Sequence, residues 1–250
     1  MNKYWKALSV SFLGQIKEKG HVLGKGILYI IIVYLFSQIF ESVNASSDRL
    51  WYFAMTQAII LSTSSVVLQI EKDIRDNQIS YFLVQPVNYL LFRYFEAIGS
   101  SVFRYSILII LCFLSISFLK GPIQTNPSAI IFSLFLGIMG ILLYIQISLL
   151  IGVLAYWIHD IKNLLYFNLT ATFCFGGLIV PIQLYPPFMQ KICFFTPYPW
   201  ILWWPANFFS SGNVNHYKAF IGWIIWTIIF MFLNNYIFQK QRKKIITKDS

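Results

Sequence analysis

What most constrains this chain is the recurrence, along nearly all of its 250 residues, of apolar runs long enough to cross a bilayer. A hydrocarbon core about 30 Å thick requires roughly 17 to 25 helical residues. Such runs occupy 21–40, 50–70, 89–119, 127–157, 164–180 and 217–238, the fifth only just long enough. They do not alternate polar with apolar residues, so they fit helices that close their own backbone hydrogen bonds rather than barrel strands. Charged residues make up 11% of the chain, against about 25% in a soluble domain. The fold class is therefore all-α: a polytopic membrane protein with six transmembrane helices in one domain, 1–250.

Two stretches depart from simple spans. Residues 1–24 place Trp5, Leu8, Phe12 and Ile16 at helical spacing, with Lys3, Lys6, Lys17 and Glu18 largely elsewhere around the wheel. That pattern predicts an amphipathic helix lying in the membrane interface. Its interleaved Lys, Gln and Glu are unlike a cleaved signal peptide, so Met1 onward is expected in the mature protein. Residues 181–216 carry six prolines and a dense aromatic series that includes Phe188, Phe195, Tyr198, Trp203 and Trp204. This segment is too apolar for a loop in water and too broken for two spans, which predicts short helices dipping partway into the membrane, a re-entrant segment.

The net charge of +10 has a topological explanation. With both termini cytoplasmic, fifteen of the nineteen Lys and Arg residues fall on the inner side, including those of the basic tail 239–250. Positive residues stay on the cytoplasmic face and touch anionic lipid headgroups. The expected location is the cell inner (plasma) membrane; lipid is the expected partner of these charges, and nucleic acid is not.

The second span is unusually polar, with Thr56, Gln57, Ser62, Thr63, Ser64, Ser65 and Gln69. Either it faces other helices or a translocation path, or its hydroxyls bond back to their own helix. The most charged internal stretch follows at 71–77; with Pro86 as a break, 71–88 reads as a loop outside the bilayer. The third helix, 89–119, would be roughly 46 Å long, so its first turns project into water or headgroups. Arg93 and Glu96, three residues apart, can pair there. Arg104 falls nearer membrane depth, where an arginine either snorkels or marks a function. Gln57, Ser64 and Arg104 are the candidates for a translocation path.

Catalytic and cofactor motifs are not found. The glycines between 20 and 26 lack the spacing and the Ser or Thr of a phosphate loop, so no ATP hydrolysis is expected from this chain alone. Its three histidines are scattered, and Cys112, Cys174 and Cys193 sit singly among apolar residues, which reads as packing rather than metal binding.

Several stretches carry a family resemblance. Ile74, Arg75, Asp76 and Asn77, followed by Tyr81, Phe82, Leu83, Val84, Gln85, Pro86 and Val87, are similar to the cytoplasmic stretch of type-2 ABC transporter permeases. So is the later series Ile151, Gly152, Trp157, Asp160, Gly177, Pro181, Pro186, Pro197, Tyr198 and Pro205. Asn77 and Gln85 depart from the residues common there. The resemblance implies a transmembrane subunit that pairs with a second permease, identical or related. It implies that separate cytoplasmic ATPase subunits, holding ATP and magnesium, bind beneath the pair, and that this chain binds no cofactor and is not itself an enzyme. Ile74, Arg75, Asp76, Ile79, Tyr81 and Phe82 would form the coupling element, and Phe188, Phe195, Tyr198, Trp203 and Trp204 an outer gate. The implied activity is export of an amphipathic or hydrophobic substrate. The rival reading, a self-sufficient secondary transporter or channel without an ATPase, rests on Arg104, Gln57 and the polar second span.

Overall fold

The computed structural model describes residues 2–44, 46–76, 78–79, 82, 87–121, 126–158, 161–211 and 216–248, and they are helical with no strand among them. In chain order the elements are α1 (Asn2–Lys17), α2 (Lys19–Ser42), α3 (Ser47–Ser62), α4 (Val66–Arg75), α5 (Tyr89–Lys120), α6 (Pro127–Leu154) and α7 (Lys162–Gly176). A 3-10 turn (Ile182–Leu184) then leads to α8 (Pro187–Phe194), α9 (Tyr198–Ile201), α10 (Trp203–Ser211) and α11 (His216–Lys248).

Five helical segments are long and apolar enough to span a membrane: α2, α3 with α4, α5, α6 and α11. The expected fifth span, 164–180, differs. Its helix α7 has 15 residues, about 22 Å at 1.5 Å per residue, because Gly177 takes a left-handed φ of +67° and ends it.

α3 is the centre of the bundle. Tyr52, Phe53, Ala54, Met55, Ala58 and Ile59 are all essentially unexposed, enclosed by α2, α5, α6 and α10. The polarity of this helix thus belongs to an inside helix, where hydroxyls find partners that lipid cannot offer. Thr56 donates to the carbonyls of Phe53 at 2.8 Å and Leu178 at 2.7 Å. The Tyr52 hydroxyl donates to Gly177 O at 2.5 Å. By contrast α2 and α11 expose Ile27, Ile31, Leu35, Ile225, Ile228 and Phe232, the outward apolar surface of a lipid-facing helix.

α1 packs lengthwise on the first half of α5 in parallel register, Tyr4 against Phe95 and Phe12 against Phe103 with ring centroids 5.8 and 5.0 Å apart. The approach is close enough that any Cβ at Gly99 would overlap the Leu8 carbonyl. α1 still presents Trp5, Leu13 and Ile16 outward. The amphipathic reading of 1–24 therefore acquires a definite use: the helix covers the turns of α5 that its length would otherwise leave uncovered.

Candidate coupling and translocation site

The second span is not continuous. Residues 63–65 leave the helix between α3 and α4, with Thr63 extended at φ −61° and ψ 147°. The local cause lies in four consecutive hydroxyl residues. Ser62 and Thr63 donate to the carbonyls of Ile59 and Ile60 at 2.6 and 2.7 Å, and such back-bonding weakens a helix. Breaking a helix frees carbonyls at its C-terminus, which carry the negative end of the helix dipole. Two cations meet them. Lys25 Nζ donates to Leu61 O at 2.8 Å and Thr63 O at 3.4 Å, and Arg104 Nη1 donates to Thr63 O at 3.1 Å while its Nε bonds Ser100 O at 3.1 Å.

Arg104, 5% exposed, is thus neither free nor snorkelling; it caps a broken helix. Both options for the polar span hold in part: hydroxyls bond back to their own helix, and the same span faces other helices. Gln57 and Ser64 are buried as well. Lys25, assigned from sequence only to the basic N-terminal segment, is the residue that sequence reasoning missed here. No spacing rule connects it to residue 63.

About 16 Å toward the other end of α5, eleven residues below Arg104, lies a second charged cluster. Asp73 is 3% exposed and accepts from the Tyr89 hydroxyl at 2.5 Å and from Arg93 Nε and Nη2 at 2.9 and 2.5 Å. Arg93 Nη1 also meets Glu96 Oε2 at 2.6 Å, the pairing its spacing predicted. The guanidinium carbon sits 5.8 Å from the Phe82 ring centroid, and Tyr89 stacks on Phe238 of α11 at 5.7 Å. One buried cluster therefore clamps α4, α5, Phe82 and α11 together.

This corrects the expectation for the charged stretch. Residues 71–75 are the last turns of α4, not a loop, because Asp73 turns inward to the Arg93 fork while Arg75 and Asp76 remain exposed. Arg75 makes only a 4.0 Å contact with Glu71. Ile79 is buried and Ile74 and Phe82 pack on the same core, so these three anchor the segment to its own chain. Tyr81 lies outside the described residues.

The aromatic candidates divide. Trp203 and Trp204, centroids 4.7 Å apart, are buried where α10 packs against α3 and α6. They are fixed by Trp203 Nε1 donating to Gln183 Oε1 at 3.0 Å and, nearby, by the Ser133 hydroxyl donating to Pro205 O at 2.6 Å. The Tyr198 hydroxyl donates to Asn168 Oδ1 at 3.1 Å. Phe188 and Phe195 point outward, 74% and 86% exposed.

A membrane bundle with a capped helix break above a clamped, charge-tipped helix is a transport architecture in need of a family, and the sequence supplies one. Residues 22–245 match the family described as ABC-2 family transporter protein. The chain belongs to the ABC-2 transporter family. It is a membrane permease of an ABC transporter, and its matched segment spans α2 through most of α11. Among curated proteins none matches the permease.

Proposed function

We propose that this permease is the transmembrane half of an exporter, driven by separate cytoplasmic ATPase subunits that hold ATP and magnesium, and that two permeases pair around the substrate path. The observation that carries this reading is the construction of α4. Its exposed tip bears Arg75 and Asp76, its body is clamped to α5 through Asp73 and Arg93, and its far end is the break at 63–65. A load applied at Arg75 and Asp76 would move α4 and the first half of α5 as one body and be absorbed at the break, which opens or closes the space beside α3. Short charged segments of this kind set register on a partner, and apolar neighbours hold them in place.

In this scheme α7, with the chain up to residue 180, completes a sixth crossing, both termini face the cytoplasm of the plasma membrane, and the segment 181–216 dips in from the outer side. Phe188 and Phe195 then rim that outer opening while Trp203, Trp204 and Tyr198 form its fixed wall. Gln57, Ser64 and Arg104 lie beside the path as polar wall and hinge cap. The substrate is an amphipathic or hydrophobic molecule, and this chain holds no nucleotide, metal or catalytic group of its own.

The decisive experiment is affinity purification of the tagged permease from its native membrane, with mass spectrometry of bound subunits and an ATPase assay. A stoichiometric ATP-binding subunit should accompany the wild type. Arg75→Glu combined with Asp76→Arg should lose it while the bundle stays folded, because both side chains are exposed. A monodisperse complex without an ATPase, together with nucleotide-independent transport in vesicles, would overturn the reading in favour of a secondary transporter.

A further inference from the structure

The face formed by α5, α6 and α11 holds a groove that neither the break nor the α4 clamp uses. It has a volume of about 120 Å³ and a predominantly apolar lining that includes Leu90, Leu91, Leu149 and Met231. Set into that lining are two amides from different helices. Gln146 and Asn234 are 7% and 6% exposed. Asn234 Nδ2 donates to the Gln146 main-chain carbonyl at 2.9 Å. The Gln146 Nε2 donates to the Tyr94 hydroxyl at 3.5 Å, and that hydroxyl donates onward to Leu142 O at 3.5 Å. These contacts use the N–H end of each amide. Gln146 Oε1 and Asn234 Oδ1 accept no hydrogen bond from the described residues of the chain.

A buried acceptor without a donor costs about 1–3 kcal/mol, and two such atoms in one groove mark a place where a donor belongs. The groove continues into a second cavity of about 310 Å³, more evenly polar, that shares Asn88 and Asn235 with it and is lined at its far end by Gln239 and Arg242. Arg242 lies eight residues beyond Asn234 on α11, about 12 Å along the axis, and its long side chain covers much of that distance. Leu91 and Met231 are exposed, so the apolar part opens sideways. The sequence of environments is therefore a cation, then hydrogen-bond acceptors, then an apolar channel open to the side.

We infer that this groove binds a membrane amphiphile with an anionic headgroup at Arg242 and an N–H or O–H donor at the base of its chains, directed at Gln146 Oε1 and Asn234 Oδ1. An ester-linked diacyl phospholipid has the charge but only acceptors at that depth, and leaves both oxygens unpaired. An amide-linked or hydroxylated lipid supplies the donor. Only the further step, from bound amphiphile to transported cargo, rests on the exporter reading.

A matched pair of probes tests this: ceramide 1-phosphate, with an amide N–H and a hydroxyl beside its phosphate, and phosphatidic acid of equal chain length, with esters there. Each is titrated into the full-length permease in nonionic detergent, and retained adducts are counted by native mass spectrometry. The wild type should retain ceramide 1-phosphate at roughly tenfold lower concentration than phosphatidic acid, the ratio expected for one net hydrogen bond. Gln146→Leu or Asn234→Leu, on separate helices and each checked for an unchanged melting curve, should shrink that ratio toward one. Arg242→Gln should weaken both probes alike. Equal retention of the two probes by the wild type overturns the inference and leaves water as the partner of the two oxygens, and so does a preference that survives both leucine variants. The assay involves no ATPase, so its failure is distinguishable from failure of the exporter reading, which is decided by co-purification.

Discussion

Asp73 is 3% exposed and keeps its place because three donors, two of them from one arginine fork, converge on a single carboxylate oxygen. Breaking a buried pair from one side is costly, about 3–5 kcal/mol, whereas replacing both partners with apolar residues is often tolerated. Asp73→Ala should therefore lower the melting temperature of the purified permease sharply. Asp73→Leu with Arg93→Met should recover part of that loss, and a double mutant no better than the single would show that the clamp is not a coupled unit. Tyr52 offers a neutral comparison. Tyr52→Phe removes the donor to Gly177 O and should cost about 1–3 kcal/mol, read as a smaller shift in the same thermal assay. The pairing of Arg93 with Glu96 was legible in the sequence because three residues on one helix are neighbours by geometry. The pairing of Arg93 with Asp73, twenty residues apart, was not.

At the scale of elements, the break at 63–65 and the seating of α1 are the features that give the bundle moving and fixed parts. Replacing Ser64 and Ser65 with leucine removes two of the four hydroxyl residues there and favours a continuous helix. The expected result is a permease that still recruits its ATPase yet no longer transports, measured by substrate accumulation in inverted vesicles. Retained transport would mean that the break is not the hinge. Gly99→Leu attacks the other feature, since the side chain has no room against the Leu8 backbone. α1 should then separate from α5, and protease cleavage within the first 18 residues should accelerate while the remaining bundle resists. The sequence pattern already named 1–24 as amphipathic. What it lacked was the surface that α1 covers, because periodicity reports which face of a helix is apolar and not what lies opposite.

For the whole molecule, the distribution of basic residues makes a prediction about sidedness. Single cysteines at Lys3 and Lys240, in a background where Cys174, which is exposed, has been replaced, should react with an impermeant maleimide only from the cytoplasmic side. A cysteine at Val43 should react only from the opposite side. Labelling of both termini from outside would invert the scheme and place the Arg75 and Asp76 tip away from any cytoplasmic ATPase.

The sequence by itself determined the solvent, the helical class and most of the crossings, because apolar length and charge bias are local quantities that the bilayer reads directly. It also carried the family, through a loose pattern of apolar and turn residues spread along the chain. The tertiary structure alone decided that the polar second span is central and broken, that Lys25 and Arg104 cap it, that Asp73 closes a clamp, and that Gln146 and Asn234 meet in one groove. Each of these joins residues distant in sequence, and a buried polar atom's worth is set by the partner that packing brings to it, not by its own identity.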